Sequence, residues 1–363
     1  MKFYFITREN RINPGARVRC WGFSEKLKEK GLTSEVFSFV DKLGARSGKD
    51  DAKFSLSEKL RYSCKGLGLL SKEAKTSVFI VNRFNYHTIP AWLAAELRGR
   101  PFIFDMDDWE AREGRGSKAE HLTRLFAKRS IFCVAASNYL RDYLLQFNKK
   151  VYCIPTAVDT DKFKPSLCKE KKDFIFSWHG SVNRIELIGY LKFIIECFLA
   201  LFKKYPSIKF YIAADGIFIE ELKKLIRDYN CENIIYKGWL DYVDIPSYLD
   251  DIDCGLIPLL DRTRFNLSKS PVKLFEYMAK AKPVVASPIG EAGFIIKDSH
   301  NGFLAADRNE FIFKMEQLIN NPELAQRMGA IARKDAEKNY SLSVLGEDFT
   351  RIINNAFNNN PNL

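Results

Sequence analysis

The segment SKSPVKLFEYMAKAKPVVASPIG, residues 268–290, gathers the residue types best suited to chemistry. Ser270 is an N-cap residue and Pro271 suits a first helical position, so the spacing predicts a helix from Pro271 to about Lys280. The start of such a helix exposes unpaired N–H groups and the positive end of its dipole, which suits a phosphate. Lys273 in the first turn adds a charge. Glu276 lies one turn on, with Lys273 at i−3 and Lys280 at i+4, and its carboxylate can accept two hydrogen bonds from the vicinal hydroxyls of a ribose. The same pattern also reads as a capped helix with surface ion pairs.

A second cluster lies in FIFDMDDWE, where Asp105, Asp107 and Asp108 could hold Mg²⁺, bind hydroxyls or order a loop. His87 in NRFNYHTIP and His179 in WHGSVNR each follow an expected strand, with either a catalytic or a structural use. NPGAR, Asn13 to Arg17, offers Gly15 as a turn or as a point of close approach. No Ser/His/Asp order or Cys/His motif supports hydrolase chemistry. The eight cysteines are scattered without a CxxC, against a zinc site or disulfide scaffold and in keeping with a reducing cytoplasm.

These residues need a scaffold, and the chain of 363 residues, 46% apolar and 28% charged, is long enough for about two domains. In the first half, KFYFI, EVFSFV, SVFIVN, PFIFD, IFCVAA and KVYCIP read as strands alternating with helical stretches such as VRCWGFSEKLKEKG. That alternation implies βαβ units and a parallel sheet covered on both faces. PTAVDTDKFKPSLCKEKKD reads as a linker, after which the alternation restarts with DFIFSWHG, IKFYIAAD, NIIYKG, CGLIPL and PVVAS. Glu310 to Phe357 reads as helical with a break near Asn339, and NNNPNL as a disordered tail. LIGYLKFIIECFLALF, interrupted by Lys192 and Glu196, is a buried-helix pattern rather than a membrane span, and no signal peptide is visible. Two doubly wound domains are expected, with function at the carboxyl ends of their strands, facing a cleft.

The net charge of +12 is confined to residues 1–170, which hold 32 Lys+Arg against 20 Asp+Glu. This suits an anionic partner (membrane surface, nucleic acid or substrate) or serves solubility. KFSLSEKLRYSCKGLGLLSK, Lys53 to Lys72, interleaves leucines with Lys53, Lys59, Arg61, Lys65 and Lys72, and reads equally as a surface for anionic lipid and as a helix covering the sheet.

SPVKLFEYMAKAKPVVAS closely resembles the signature of the retaining, nucleotide-sugar-dependent glycosyltransferases of family 4 (glycosyl transferases group 1), which have the GT-B fold. IPTAVDTDKFKP, IAADG, YKGWLDYVDIPSYLDDIDCGLIPL and NGFLA resemble other segments of that family in the same order. The resemblance implies an α/β protein of two tandem Rossmann-like domains: an acceptor domain at 1–165, a donor domain at 172–338, and a helix at 340–357 returning to the first domain. It implies transfer of a sugar from a nucleoside diphosphate to a hydroxyl of a glycan or lipid-linked acceptor, with retention. The partners would be the donor, the acceptor and an anionic membrane surface, with no nucleic acid. No cofactor or metal is implied. The protein would be cytoplasmic, or peripheral on the inner face of the membrane.

By the same resemblance Glu276 binds the donor ribose, Gly238, Trp239 and Leu240 contact the base, and Gly290 and Glu291 reach the sugar edge. Gly15, Gly180, Ser181, Asp215, Ser270 and Pro271 complete the donor site. Asp107, His87, Arg184 and Lys273 are the catalytic candidates, and Arg17, Arg19, Asp105 and Asp108 the acceptor contacts. Three departures stand out. Ser268 occupies the place of a frequent second glutamate, no lysine follows Arg184 at the usual spacing, and aspartates stand where many members carry a histidine. These departures leave room for a catalytically silent nucleotide-sugar-binding relative. A basic nucleic-acid-binding protein is the remaining alternative, though no RNP, KH or helix-turn-helix signature supports it.

Overall fold

A computed structural model describes residues 1–45, 54–109, 117–166 and 173–358. It divides into two units: Met1–Ala157 with Thr263–Ser270 and Tyr340–Leu363, and Val158–Arg262 with Pro271–Asn339. The expected division at residues 165–172 therefore falls earlier, at Ala157/Val158. The segment read as a linker is anchored over its described part. Phe163 is fully buried, and Arg333 donates to the carbonyls of Thr160, Phe163 and Ala279. Lys53, Cys168 and the tail 359–363 lie outside the described residues.

The first unit is built on strands β1 (Lys2–Thr7), β2 (Thr33–Ser38), β3 (Ser77–Asn82), β4 (Phe102–Met106), β5 (Cys133–Ala135) and β6 (Val151–Cys153). All pair in parallel, in the order β2-β1-β3-β4-β5-β6. β3 and β4 are buried at every residue, which explains their unbroken apolar runs. On one face lie Phe39, Tyr62, Leu70 and Phe126. On the other, helix Phe23–Glu29 meets helix Leu342–Asn358, whose Leu345, Phe349, Ile353 and Phe357 share a core with Phe3, Phe5 and Phe23.

The second unit contains β7 (Ile175–Ser181), β8 (Lys209–Asp215), β9 (Ile234–Gly238), β10 (Cys254–Ile257), β11 (Val284–Ala286) and β12 (Phe303–Leu304). They too are parallel, in the order β12-β11-β10-β7-β8-β9. β12 forms within the NGFLA stretch, too short to show an alternation. Helix Glu186–Phe202 buries Leu191, Ile194, Ile195 and Phe198 in this unit's core, as its pattern requires. Among the described residues no helix is long and apolar enough to cross a membrane.

The two sheets share a class but not a strand order. In the first, the order reverses between β1 and β3; in the second, between β7 and β10. Parallel strands put all their carboxyl ends on one edge, and the reversal opens a crevice there because successive crossovers leave in opposite directions.

Candidate functional site

At the β7/β10 reversal the second unit concentrates its candidates. Helix Val272–Ala279 connects β10 to β11. It starts one residue later than expected: Pro271 is the cap, at φ −81° and ψ 86°, and no side chain caps the helix. Ser270 is diverted, because its Oγ accepts from Thr156 N at 2.8 Å within the first unit. The cap residue therefore supplies no side-chain hydrogen bond to the first turn of the helix. Lys273 projects from the first turn with Nζ 3.9 Å from the centre of the Trp178 ring. A Cβ on Gly180 would sit 2.9 Å from that ammonium, and Gly180 itself holds φ +147°. A side chain at 180 would therefore strain the backbone and push Lys273 aside.

Glu276 does not make the surface ion pairs that its spacing suggests. Lys280 bonds Lys164 O and pairs with Asp250, while Glu276 turns inward and is 4% exposed. Its Oε2 accepts from His179 Nε2 at 2.9 Å. His179 Nδ1 lies 3.0 Å from the Tyr277 hydroxyl, whose oxygen also lies 3.0 Å from Ser177 O. The Tyr277 ring fits flush on β10 because Gly255 leaves room where a Cβ would not fit. Burial raises the Tyr277 phenol far above its ordinary range, so it stays protonated.

Other donor candidates occupy the same sheet edge. Ser181 and Asp215 end β7 and β8 in register. Gly238, at φ +74°, ends β9 and leads to a half-exposed Trp239 and to Leu240. Gly290, at φ +61°, precedes a buried Glu291 in the turn after β11. Arg184 is at the surface, paired with Glu186 at 3.3 Å.

The first unit has its own cluster at the β1/β3 reversal. Asn13 caps the short helix Pro14–Ala16 by accepting from Ala16 N, and Arg17 Nη1 donates to Ile12 O at 3.1 Å. Gly15 abuts the Arg83–Asp107 pair: a Cβ there would lie 2.6 Å from Arg83 Nη2 and 3.2 Å from Asp107 Oδ2. Arg83 grips Asp107 with two nitrogens, Nη2 to Oδ2 at 2.8 Å, from a backbone at φ +57°. Left-handed backbone is rare for a long side chain and marks a site where position outweighs strain. Burial pushes the Asp107 carboxyl up, but Arg83 outweighs it and holds the group below the usual carboxylate range. Asp108 is half-buried, accepts from Trp109 N and is raised by burial.

The expected roles of Arg19, Asp105 and His87 are corrected here. Arg19 is fully buried: Nε bonds Asp105 Oδ2 at 2.9 Å, Nη1 bonds Ile154 O at 2.7 Å, and Nη2 pairs with Asp105 Oδ1. Asp105, 3% exposed, also accepts from Asn82. Arg19 and Asp105 thus brace the strand ends and do not reach an acceptor. His87 is 2% exposed, ringed by Phe39 and Tyr86, and its Nε2 bonds Asn82 O at 2.9 Å. Burial drops its pKa to about 3, so it is a neutral structural ring rather than a proton carrier. Ser268, in the place of the frequent second glutamate, is fully buried and donates to Phe265 O. Among the described residues no three His, Cys, Asp or Glu side chains gather as metal ligands.

Arg83 and Tyr277 were not singled out in the sequence. A cation just past β3 was the available signal for Arg83. Tyr277, inside an apolar helix stretch, offered none.

Residues 176–321, most of the second unit, match the family model "Glycosyl transferases group 1". A poly(ribitol-phosphate) α-N-acetylglucosaminyltransferase of Staphylococcus aureus is 29% identical over 181 residues, 48% of this chain. The match spans 35% of that relative's length. Among solved structures, sucrose-phosphate synthase of Thermosynechococcus elongatus superposes with a TM-score of 0.78 at 12% identity over 99% of both chains. Anabaena HepE, solved with UDP and glucose, superposes at 0.74 and 16% identity over 98% of this chain and all of that one. At these identities the likeness establishes the fold, which is that of GT-B glycosyltransferases.

Proposed function

We propose that the chain is a retaining glycosyltransferase that moves a sugar from a nucleoside diphosphate to a hydroxyl of a glycan or lipid-linked acceptor in cell-surface polysaccharide assembly. The observation that carries this reading is the buried Glu276. It lies in a helix with an uncapped start, beside Gly180 and Lys273, at a sheet reversal inside the segment matching the family model. In this reading the helix start and Lys273 take the diphosphate. Both gain strength as charge develops on the leaving group, which is what lowers the barrier. Glu276 takes the ribose hydroxyls, Gly238 to Leu240 the base, and Gly290 with Glu291 the sugar. Arg184 adds charge from the surface. A donor phosphate oxygen receives the acceptor proton, so no side-chain base is needed. In the first unit, Asp107, kept ionised by Arg83 with Gly15 packed against the pair, offers a carboxylate to an acceptor hydroxyl. The activity named for the S. aureus relative, on a phosphate polymer, supports an acceptor of this class.

The first unit would meet an anionic membrane through helix Leu56–Glu73. Its inner face, with Tyr62, Gly66 and Leu70, is buried, while Leu56 and Leu60 are 74% and 58% exposed beside Arg61 and Lys65. The helix thus covers the sheet and also presents a basic, apolar outer face.

The test is a thermal-shift screen of UDP, GDP and ADP and their sugars, followed by transfer assays on the stabilising donor with NMR of the product anomer. A nucleotide-sugar should raise the Tm, and Glu276→Ala should weaken its binding by ~1.5–3 kcal/mol, the range for hydrogen bonds to a charged group. No shift with any nucleotide rejects the reading. Binding without transfer leaves the silent relative, and an inverted product rejects retention.

A further inference from the structure

We infer that His179 is the positioning residue for Glu276, and that together they read the ribose hydroxyls of the donor nucleotide; this rests on the ribose role proposed for Glu276. The basis is the asymmetry of the Glu276 carboxylate. Among the described residues Oε2 takes one hydrogen bond, from His179 Nε2, and Oε1 takes none. A carboxylate has no proton to give, so Nε2 must carry the hydrogen and His179 must donate. The imidazole is held from behind. With Nε2–H given to Glu276, Nδ1 is left to accept, and the Tyr277 hydroxyl 3.0 Å away shares its single proton between Nδ1 and Ser177 O, while the Tyr277 ring lies 4.9 Å from the imidazole at 73°. His179 is 6% exposed and lies on β7, while Glu276 and Tyr277 are neighbours on the helix after β10. The pair therefore spans the β7/β10 reversal and joins two elements that are not adjacent in the chain.

A glutamate at the ordinary end of a flexible side chain would lose rotamer freedom on binding. Here one oxygen is already fixed, so the other is aimed before the ligand arrives, and the ordering cost falls on folding instead. Such a device discriminates: a nucleotide without ribose hydroxyls forgoes the hydrogen bond that the aimed oxygen of this largely buried side chain is set to make.

The experiment titrates UDP, GDP and ADP, each against its 2′,3′-dideoxy counterpart, by calorimetry with wild type, His179→Ala, His179→Gln and Tyr277→Phe. Wild type should bind at least one ribonucleotide roughly tenfold or more tighter than its dideoxy form. His179→Ala should bring that ratio close to one while leaving the dideoxy affinity within about twofold. Where the oriented group is a metal ligand, loss of the orienting partner costs about ten- to a hundredfold, and a change of that order is sought here. His179→Gln, whose amide can donate in place of Nε2–H, should restore most of the preference, and Tyr277→Phe should reduce it partially. The dideoxy affinity serves as the folding control within each variant. A wild-type ratio retained in His179→Ala overturns the inference and leaves the ribose role of Glu276 standing. No ribose preference in the wild type for any of the three bases overturns both.

Discussion

At the scale of residues, the first unit's strand ends depend on charges that are buried and paired. Arg19 is fully buried, and its pairing with Asp105 satisfies an ion that could not otherwise be taken out of water. Asp105→Ala should therefore cost ~3–5 kcal/mol in urea unfolding, because it strands a buried guanidinium. A change below about 1 kcal/mol would show that water reaches Arg19. His87 makes a different prediction. The unfolded chain binds a proton on this ring with the ordinary pKa of 6.5, whereas burial holds the folded ring near 3. Between those values the unfolded state carries more protons, so stability falls as pH drops below 6.5 and continues to fall toward 3. From pH 7 to pH 5 the loss is about 2 kcal/mol for this one ring. His87→Gln should flatten the slope of unfolding free energy over that window, whatever its effect at neutral pH. An unchanged slope would mean that His87 titrates normally in the folded chain.

At the scale of elements, helix Leu56–Glu73 carries two demands on one sequence. Gly66 lets the helix close on Phe39, since a Cβ there would lie 2.6 Å from the ring. The outer face then shows leucines beside basic groups. Each basic residue near an anionic surface contributes about 1 kcal/mol, decaying over a Debye length of ~8 Å. The chain should sediment with phosphatidylglycerol vesicles and release as salt rises. Replacing Lys59, Arg61, Lys65 and Lys72 with Gln should abolish this without lowering the Tm. Equal binding to neutral vesicles, or an unaffected variant, would assign the charge to solubility or substrate steering. Helix Val272–Ala279 shows the converse economy. Its expected capping serine is engaged elsewhere, and the cap position falls to Pro271, whose side chain makes no cap hydrogen bond.

At the scale of the whole molecule, the two units bring different residues to their sheet reversals: Gly15, Arg83 and Asp107 in one, Gly180, Lys273, His179 and Glu276 in the other. In the first, Asp105 and Asp107 are bound by guanidinium groups, and a carboxylate so engaged has little left for a cation. Transfer should accordingly persist in EDTA, with charge on the leaving group met by Lys273 and the helix start. Complete loss in EDTA, reversed by Mg²⁺, would return Asp107 and Asp108 to candidacy as ligands.

The sequence by itself determined the class of fold and nearly every strand. Doubly covered parallel strands must be apolar on both faces, and short runs such as SVFIVN and PFIFD, rich in β-branched and aromatic residues, favour that reading over a buried helix. It also located the helix that follows β10 to within one residue, because a helix start after a strand is written in local residues. What it could not carry was anything set by contacts between distant segments. That Ser270 accepts from Thr156 rather than capping a helix, that residues 263–270 fold with the first unit, and that Glu276 faces His179 rather than its neighbouring lysines all depend on pairings 97 to 114 residues apart or on chain path. The same holds for Arg19, whose type and position suggested an exposed cation. Its partner lies 86 residues away. Local spacing reports which faces of an element are apolar. Only the closed sheets decide which polar groups are sealed inside, because a buried charge is acceptable solely where a remote partner meets it.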